Sequence, residues 1–257
     1  MLGYFCGALA ADTLKIGGTG SALGTMRLLG DAFTAKNPDI QVTIVPSLGS
    51  GGGIKAVASG AIALAVTSRS MNDADRKLGV TESEYGRTPF VFAVSAKSSV
   101  SAITRKEIAD IYAGRMSKWP DGSPVRIVLR PASDIDTDIL KSLSPEIKEA
   151  LAVAEKRPGV QISVNDQDAA DDLQRIPGVI GPSSLALILS EKRALTALML
   201  DGKDPTPQNI ASGVYPYFKR LFFVTGAKRS AAVERFIAFV RSPAGRKILA
   251  DHGHWIP

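Results

Sequence analysis

The first seventy residues repeat one layout: a short apolar run, a cluster of glycine or hydroxyl residues, then a segment with helical periodicity. "TLKIGG" leads into "SALGTMRLLGDAFTAKNP", where Leu23, Met26, Leu29, Ala32 and Phe33 fall on one helical face and Pro38 ends the run. "IQVTIVP" alternates as a strand, "GIKAVASGAI" begins a second helix that Gly60 ends, and "IALAV" reads as a buried strand. A β-α-β-α-β order of this kind predicts a parallel sheet, because each helix carries the chain back to the edge from which the next strand starts. The alternation continues through "TPFVFAVS", "VRIVLR" from Val125, "GVQISV", "GVIGP" and "RLFFVT" as strands. Between them, "TRKEIADIYAG" is a helix with Thr104 as N-cap and Glu107 closing a capping box, "DTDILKSL" opens a helix at Asp136, and "SAAVERFIAFVRS" from Ser230 is amphipathic. The prediction is an α/β protein, and periodicity leaves open whether it has one sheet or two.

With 257 residues, 45% hydrophobic and 22% charged, the chain can bury the core of one large domain or two small lobes. The net charge of +6 is scattered over positions such as Arg27, Lys36, Lys55, Arg69, Arg105 and Lys106, without the basic stripe and interleaved aromatics of a nucleic-acid binder. It supports mild long-range attraction for anions. The uncharged start "MLGYFCGALAA" has Ala8 and Ala10 flanking Leu9, the pattern of a signal-peptidase site, so residues 1–11 are expected to be a signal remnant; a floppy or strand-forming N-terminus is the alternative. The single cysteine, Cys6, lies in this segment, which would leave the cleaved chain without thiol or disulfide chemistry. No other stretch is long and apolar enough to span a bilayer.

Three glycine or hydroxyl clusters stand where a strand gives way to a helix: Gly17–Ser21, Gly49–Gly53 and Arg130–Thr137. Helix N-termini carry unpaired N–H groups and a positive dipole end, and glycine there lets an anion approach the backbone. The alternative is that the glycines only make tight turns. Ser68 and Arg69 end the third strand, and Arg130 ends its own strand directly before the third cluster, so both arginines are candidates for the crevice at the carboxyl ends of a parallel sheet. Rival chemistries lack parts. "GGTGSALG" has the glycines of a dinucleotide fingerprint, yet the next strand ends in Pro46 and Ser47 rather than an acidic residue. Lys55 follows isoleucine, so there is no Walker loop, and Ser50 in "LGSGG" lacks the first glycine of a nucleophile elbow. His252 and His254 in "HGHW" imply no third metal ligand, and a surface tail or a closing contact is the expected role. No catalytic residue, metal or cofactor is expected.

The segments "GGTGSALGTMRLLGDAF", "PSLGSGGGIKAVASGAIALAVTSRSM", "TRKEIADIYAGRMSKWPDGSPVRIVLR", "GVIG" and "VYPYFKRLFFVT" resemble the phosphate-binding protein family of bacterial ABC importers. The most specific piece runs from Ile111, Tyr112, Gly114 and Trp119 through Pro124 to Arg130. The resemblance implies a two-lobed type II periplasmic-binding-protein fold, each lobe a mainly parallel sheet flanked by helices, with a two-strand hinge. Residues 12–92 and 222–257 would form lobe 1, and residues 93–221 lobe 2. Matching positions would place Thr19, Gly20, Ser21, Ser50, Gly51, Ser68 and Arg69 on one side of a ligand cleft, with Arg130, Ser133 and Thr137 facing them. The implied function is capture of a small oxyanion, phosphate favoured, by a periplasmic or extracellular monomer that delivers it to an ABC importer permease and performs no catalysis.

Two departures bear on the ligand. Many phosphate binders have Ser-Asp where this chain has Ser68-Arg69; that aspartate accepts a hydrogen bond from protonated phosphate, which a donor-only arginine cannot do. The family's "GSGT" appears as "SDIDT", so Asp134 or Asp136 either supplies the missing acceptor or repels a simple dianion and suits another ligand. The alternatives are a sensing module for sulfate, a tungstate-like ion or an organic phosphate or carboxylate, and an enzyme on a phosphorylated small molecule with Asp136 as general base.

Overall fold

Apolar strand residues and capped helix starts build an alternating architecture in the computed structural model, which describes residues 12–257. The expected signal segment and Cys6 lie outside the described residues. The first part runs β1 (Asp12–Gly18), α1 (Gly20–Thr34), β2 (Ile40–Ile44), α2 (Gly49–Ala58), β3 (Leu64–Thr67) and α3 (Asp73–Arg76). A long strand, β4 (Val80–Ser95), leads to β5 (Ala102–Ile103), α4 (Arg105–Tyr112), β6 (Arg126–Leu129), α5 (Ile135–Ser142), α6 (Pro145–Ala154) and β7 (Gln161–Ile162). There follow α7 (Asp166–Arg175), β8 (Val179–Ser184), α8 (Leu185–Ser190), β9 (Leu195–Ala197), β10 (Met199–Leu200) and α9 (Pro207–Ala211). The chain returns through β11 (Phe218–Gly226) and ends in α10 (Ala231–Arg241) and α11 (Pro243–Asp251).

The question of one sheet or two is answered by β4. Nine of the eleven described strands form one hydrogen-bonded path, β2-β1-β3-β11-β4-β8-β6-β7, with β9 also on β4, while β5 and β10 pair in a small sheet of their own. From Val80 to Pro89, β4 pairs antiparallel with β11; from Phe90 onward it pairs antiparallel with β8 and then β9. On either side of this change the pairing is parallel, β1 with β2 and β3, and β6 with β7 and β8. The cores separate at the same place. Tyr85 and Leu221 pack with Leu23, Phe33 and Phe236, whereas Phe90, Tyr215 and partly buried Phe218 pack with Ile108, Tyr112 and Ile147.

Three local expectations change. "TPFVFAVS" is only the second half of β4; its first half is masked in the sequence by Glu82, Glu84 and Arg87, whose charges find partners in the fold. Glu84 accepts from Arg87 Nε at 2.6 Å and is paired with Arg220 of β11, while the Arg87 guanidinium lies 5.1 Å from the Phe218 ring and 4.9 Å from the Trp255 ring. "GVQISV" shrinks to two exposed residues at the sheet edge. The run "GSGGG" is not a loop ahead of α2 but its first turns. Gly53 explains part of this composition: a Cβ there would meet the Gly18 Cα at 2.8 Å, so α2 packs on the end of β1 only without a side chain.

"HGHW" is a closing contact. The Arg87 N–H donates to the Trp255 carbonyl at 2.7 Å and the Trp255 N–H donates back at 2.8 Å, so the tail pairs with β4 beside the point where the cores change. His254 is buried, with Nδ1 3.1 Å from the Leu249 carbonyl, and burial lowers its pKa to about 4.

Candidate functional site

Nine of the described helices begin with a side chain that accepts from their own first-turn N–H groups, for example Thr104, Asp134, Asn165 and Ser230. The two exceptions are α1 and α2, which start at Thr19 and Leu48 without a side-chain cap. Both exceptions reach one cavity of about 300 Å3, lined by Thr19, Ser47, Gly49, Ser50, Gly51, Ser68 and Arg69 on one side. Its other wall is Arg130, Pro131, Ser133, Asp134, Ile135, Val164, Asn165 and Asp166. The uncapped first turn of α2 lines the hollow with Gly49, Ser50 and Gly51, whereas α1 reaches it through Thr19 and packs Gly20 against Asp166 and Gln167 of α7.

On the first wall the hydroxyls form a chain. Thr19 Oγ1 and Ser68 Oγ are 3.2 Å apart, Ser68 Oγ and Ser50 Oγ are 3.3 Å apart, and the Ser68 N–H donates to Ser50 Oγ at 3.1 Å. Arg69 donates through Nη1 to Asp75 at 2.5 Å, so part of its charge is already shared. Burial raises the Asp75 pKa, but the Arg69 guanidinium and the Asn72 cap outweigh it and hold the carboxyl below its ordinary value.

The second wall is built on Arg130, buried at the end of β6. Its Nη1 donates to the Ser163 carbonyl at 2.6 Å and its Nη2 to Asp134 at 2.8 Å, with Asp136 3.7 Å from Nε and Asp166 4.0 Å from Nη2. Nε itself has no hydrogen-bond partner. Asp134 also caps α5 by accepting from the Asp136 N–H at 2.9 Å.

Contacts across the cavity converge on Asp166, the first residue of α7. Ser21 donates to its Oδ1 at 2.7 Å, and Thr19 donates to its Oδ2 at 3.3 Å. Behind it lies Lys219 of β11, a fully buried ammonium 2.5 Å from Asp136, 2.8 Å from Ser21 Oγ and 3.2 Å from Asp166. Burial alone would raise Asp166, but Lys219, Arg130 and the Ser21 hydroxyl hold its carboxyl well below the usual carboxylate range. Asp136 goes the other way: burial pushes it up to about 7 against the pull of Lys219. Burial would lower Lys219, yet Asp136 and Asp166 together keep its pKa raised.

Of the residues singled out from the sequence, Thr19, Ser50, Gly51, Ser68, Arg69, Arg130 and Ser133 line the cavity. Gly20, Ser21 and Thr137 stand behind its wall: Gly20 accepts from Gln167 at 3.0 Å, Ser21 serves Asp166, and Thr137 Oγ1 donates to the Pro131 carbonyl at 2.9 Å. Of the two candidate acceptors, Asp134 lines the cavity but is engaged by Arg130, and Asp136 turns away toward Lys219. Asp166 and Lys219 were not singled out. Asn165 with Asp168 three residues on is a cap signature that could have marked the start of α7 at Asp166. For Lys219, inside a strand, no local signal exists. A larger open depression of about 760 Å3 lies on α4 and the segment before β11, where Arg105 is paired with Asp201, and Lys106 and Arg115 with Asp110.

A family model described as a PBP superfamily domain matches residues 7–244. The chain belongs to the PBP superfamily. Among curated members, the phosphate-binding protein PstS of Bacillus subtilis (strain 168) is 24% identical over 257 residues, covering 95% of this chain and 81% of that one. The PstS of Borreliella burgdorferi is 23% identical over 213 residues, covering 80% and 76%. Among solved structures, a substrate-binding protein of Clostridium perfringens with bound phosphate has a TM-score of 0.79 at 23% identity, over 96% of this chain and 100% of that one. The periplasmic molybdate-binding protein of Azotobacter vinelandii has a TM-score of 0.67 at 13% identity, over 95% and 99%. At these identities the likeness establishes the superfamily's two-lobed type II α/β fold. Among the described residues no helix is long and apolar enough to cross a membrane.

Proposed function

We propose that this protein captures a small oxyanion, phosphate foremost, outside the cytoplasm and delivers it to an ABC importer permease, without catalysis. One observation carries the reading: the two helices without side-chain caps both reach the cavity that also holds Ser50, Ser68, Arg69 and Arg130. Charge-assisted hydrogen bonds contribute about 1.5–3 kcal/mol each, so a handful, less the cost of closure, reaches the roughly 8 kcal/mol of micromolar binding. The two parts of the chain, divided where the cores change between Tyr85 and Phe90 on β4 and between Phe218 and Leu221 on β11, act as lobes that close about these strands, and the closed surface is what the permease reads. The relatives named for phosphate support the choice of ion.

The acceptor that Arg69 cannot provide is Asp166. Its Oδ2 lies on the cavity side, and a carboxylate held below its ordinary pKa accepts only, which favours an oxyanion that retains a hydrogen over sulfate, which has none at neutral pH. The enzyme reading is disfavoured because Asp136, its general base, faces Lys219 and not the cavity.

A thermal-shift panel of phosphate, sulfate and molybdate tests the function. At a hundredfold excess over Kd a ligand stabilises by about 2.7 kcal/mol, roughly 5–10 °C for a chain of this size. Absence of a shift with any oxyanion would sink the reading. Asp166→Asn is expected to weaken phosphate by about 1.5–3 kcal/mol, roughly ten- to hundredfold, with sulfate spared. Equal losses for both ions by calorimetry would remove Asp166 as the acceptor.

A further inference from the structure

We infer that Lys219, although it does not touch the cavity, is a positioning residue that sets the preference for a hydrogen-bearing oxyanion by fixing Asp166 as an acceptor. The inference rests on the oxyanion reading above. Lys219 has no exposed side-chain surface and is absent from the cavity lining. Its ammonium sits where the starts of three helices meet, between Ser21 of α1, Asp136 of α5 and Asp166 of α7.

That is an unfavourable place for a cation. Three helix N-termini present their positive ends there, and burying an ammonium costs solvation that an apolar side chain would not. Stability alone would be served as well by a hydrophobic residue with neutral neighbours. What Lys219 provides is an asymmetry in Asp166. Oδ1 is taken from behind by Lys219 at 3.2 Å and Ser21 at 2.7 Å, which leaves Oδ2 toward Thr19 at 3.3 Å and Arg130 at 4.0 Å, on the cavity side.

The groups facing Asp166 are Lys219 from β11, Arg130 from the end of β6, and Thr19 and Ser21 from the start of α1. Asp134 and Asp136 of the α5 start lie beyond these cations, and Asp136 in turn faces Arg130 and acts on the buried Tyr112 hydroxyl of α4. Without Lys219, two buried carboxylates and Asp134 share Arg130 alone. Protons then return to the cluster, to Asp136 first because burial already raises it and next to Asp166, which has lost the cation on its Oδ1. A protonated Asp166 donates, which suits an oxyanion that has no hydrogen.

Calorimetric titration of phosphate and of sulfate into wild type and Lys219→Met at pH 6 and pH 8.5 tests this. The variant is expected to lose at least tenfold of its phosphate-over-sulfate preference at pH 6 and to regain part of it at pH 8.5. Should Lys219→Met not fold, Lys219→Gln, which removes the charge but keeps a donor toward Ser21 and Asp136, takes its place and is read the same way. A parallel loss for both ions at both pH values would mean a merely structural role and overturn the inference, as would a wild type that binds both ions without preference. A wild type that binds neither ion refutes the oxyanion reading itself, before any variant is compared.

Discussion

Arg130→Met is expected to cost about 3–5 kcal/mol of folding stability and to abolish oxyanion binding, because it removes one member of a buried charge cluster and leaves the rest unpaired. Arg130 is the common partner of Asp134, Asp136 and Asp166, and its side chain is 2% exposed, so water cannot take its place. Lys219 would be left to balance three carboxylates. The sign of the pH dependence follows: a carboxyl whose folded pKa is raised above its unfolded value costs stability above that value and ceases to cost it as pH falls below. The deficit of the variant should therefore be largest near neutrality and shrink toward pH 4. Urea denaturation at the two pH values measures it, and a variant within 1 kcal/mol of wild type at pH 7 would contradict the account.

Gly18→Ala is expected to cost at least about 3 kcal/mol, by strain and collision together. Gly18 has φ +129°, and a Cβ there would lie 1.9 Å from the Val66 carbonyl oxygen. The backbone of β3 cannot swing aside as a flexible side chain can. The same junction supports the site, since the Thr19 N–H donates to that carbonyl at 2.9 Å and the Leu48 N–H donates to the Gly18 carbonyl at 3.0 Å. Weaker ligand binding should accompany the lost stability. Gly60→Ala is the control: it has φ +74° with nothing within 4 Å of an added Cβ, so only the left-handed backbone cost of about 1 kcal/mol applies. Equal costs at the two positions in a denaturant melt would show that the collision with Val66 is relieved.

Much of the architecture was legible along the chain because it is written in short-range patterns. The stripe of α1 and the Thr104–Glu107 box of α4 are local, and both appear in the structure. The first half of β4 was not legible, because its charged residues are compensated by β11 and by the tail at Trp255, far away in sequence. The start of α2 was misplaced for a related reason: a glycine run reads as loop until Gly18 is seen packed against Gly53.

Short-range patterning marked strands β1, β2, β3, β6, β8 and β11, helices α1, α2, α4, α5 and α10, the cap of α4 and the placement of Arg69 and Arg130 at strand ends, since periodicity, capping and turn chemistry act over a few residues. It left α3, α6 to α9 and α11 unmarked. Which acid faces the cavity and which cation stands behind it is set by contacts between distant parts of the chain. Ser21 and Asp166 are 145 residues apart, and Lys219 and Ser21 are 198 apart. A buried charge is tolerated only when its partners arrive from elsewhere in the fold, and local sequence carries no record of them.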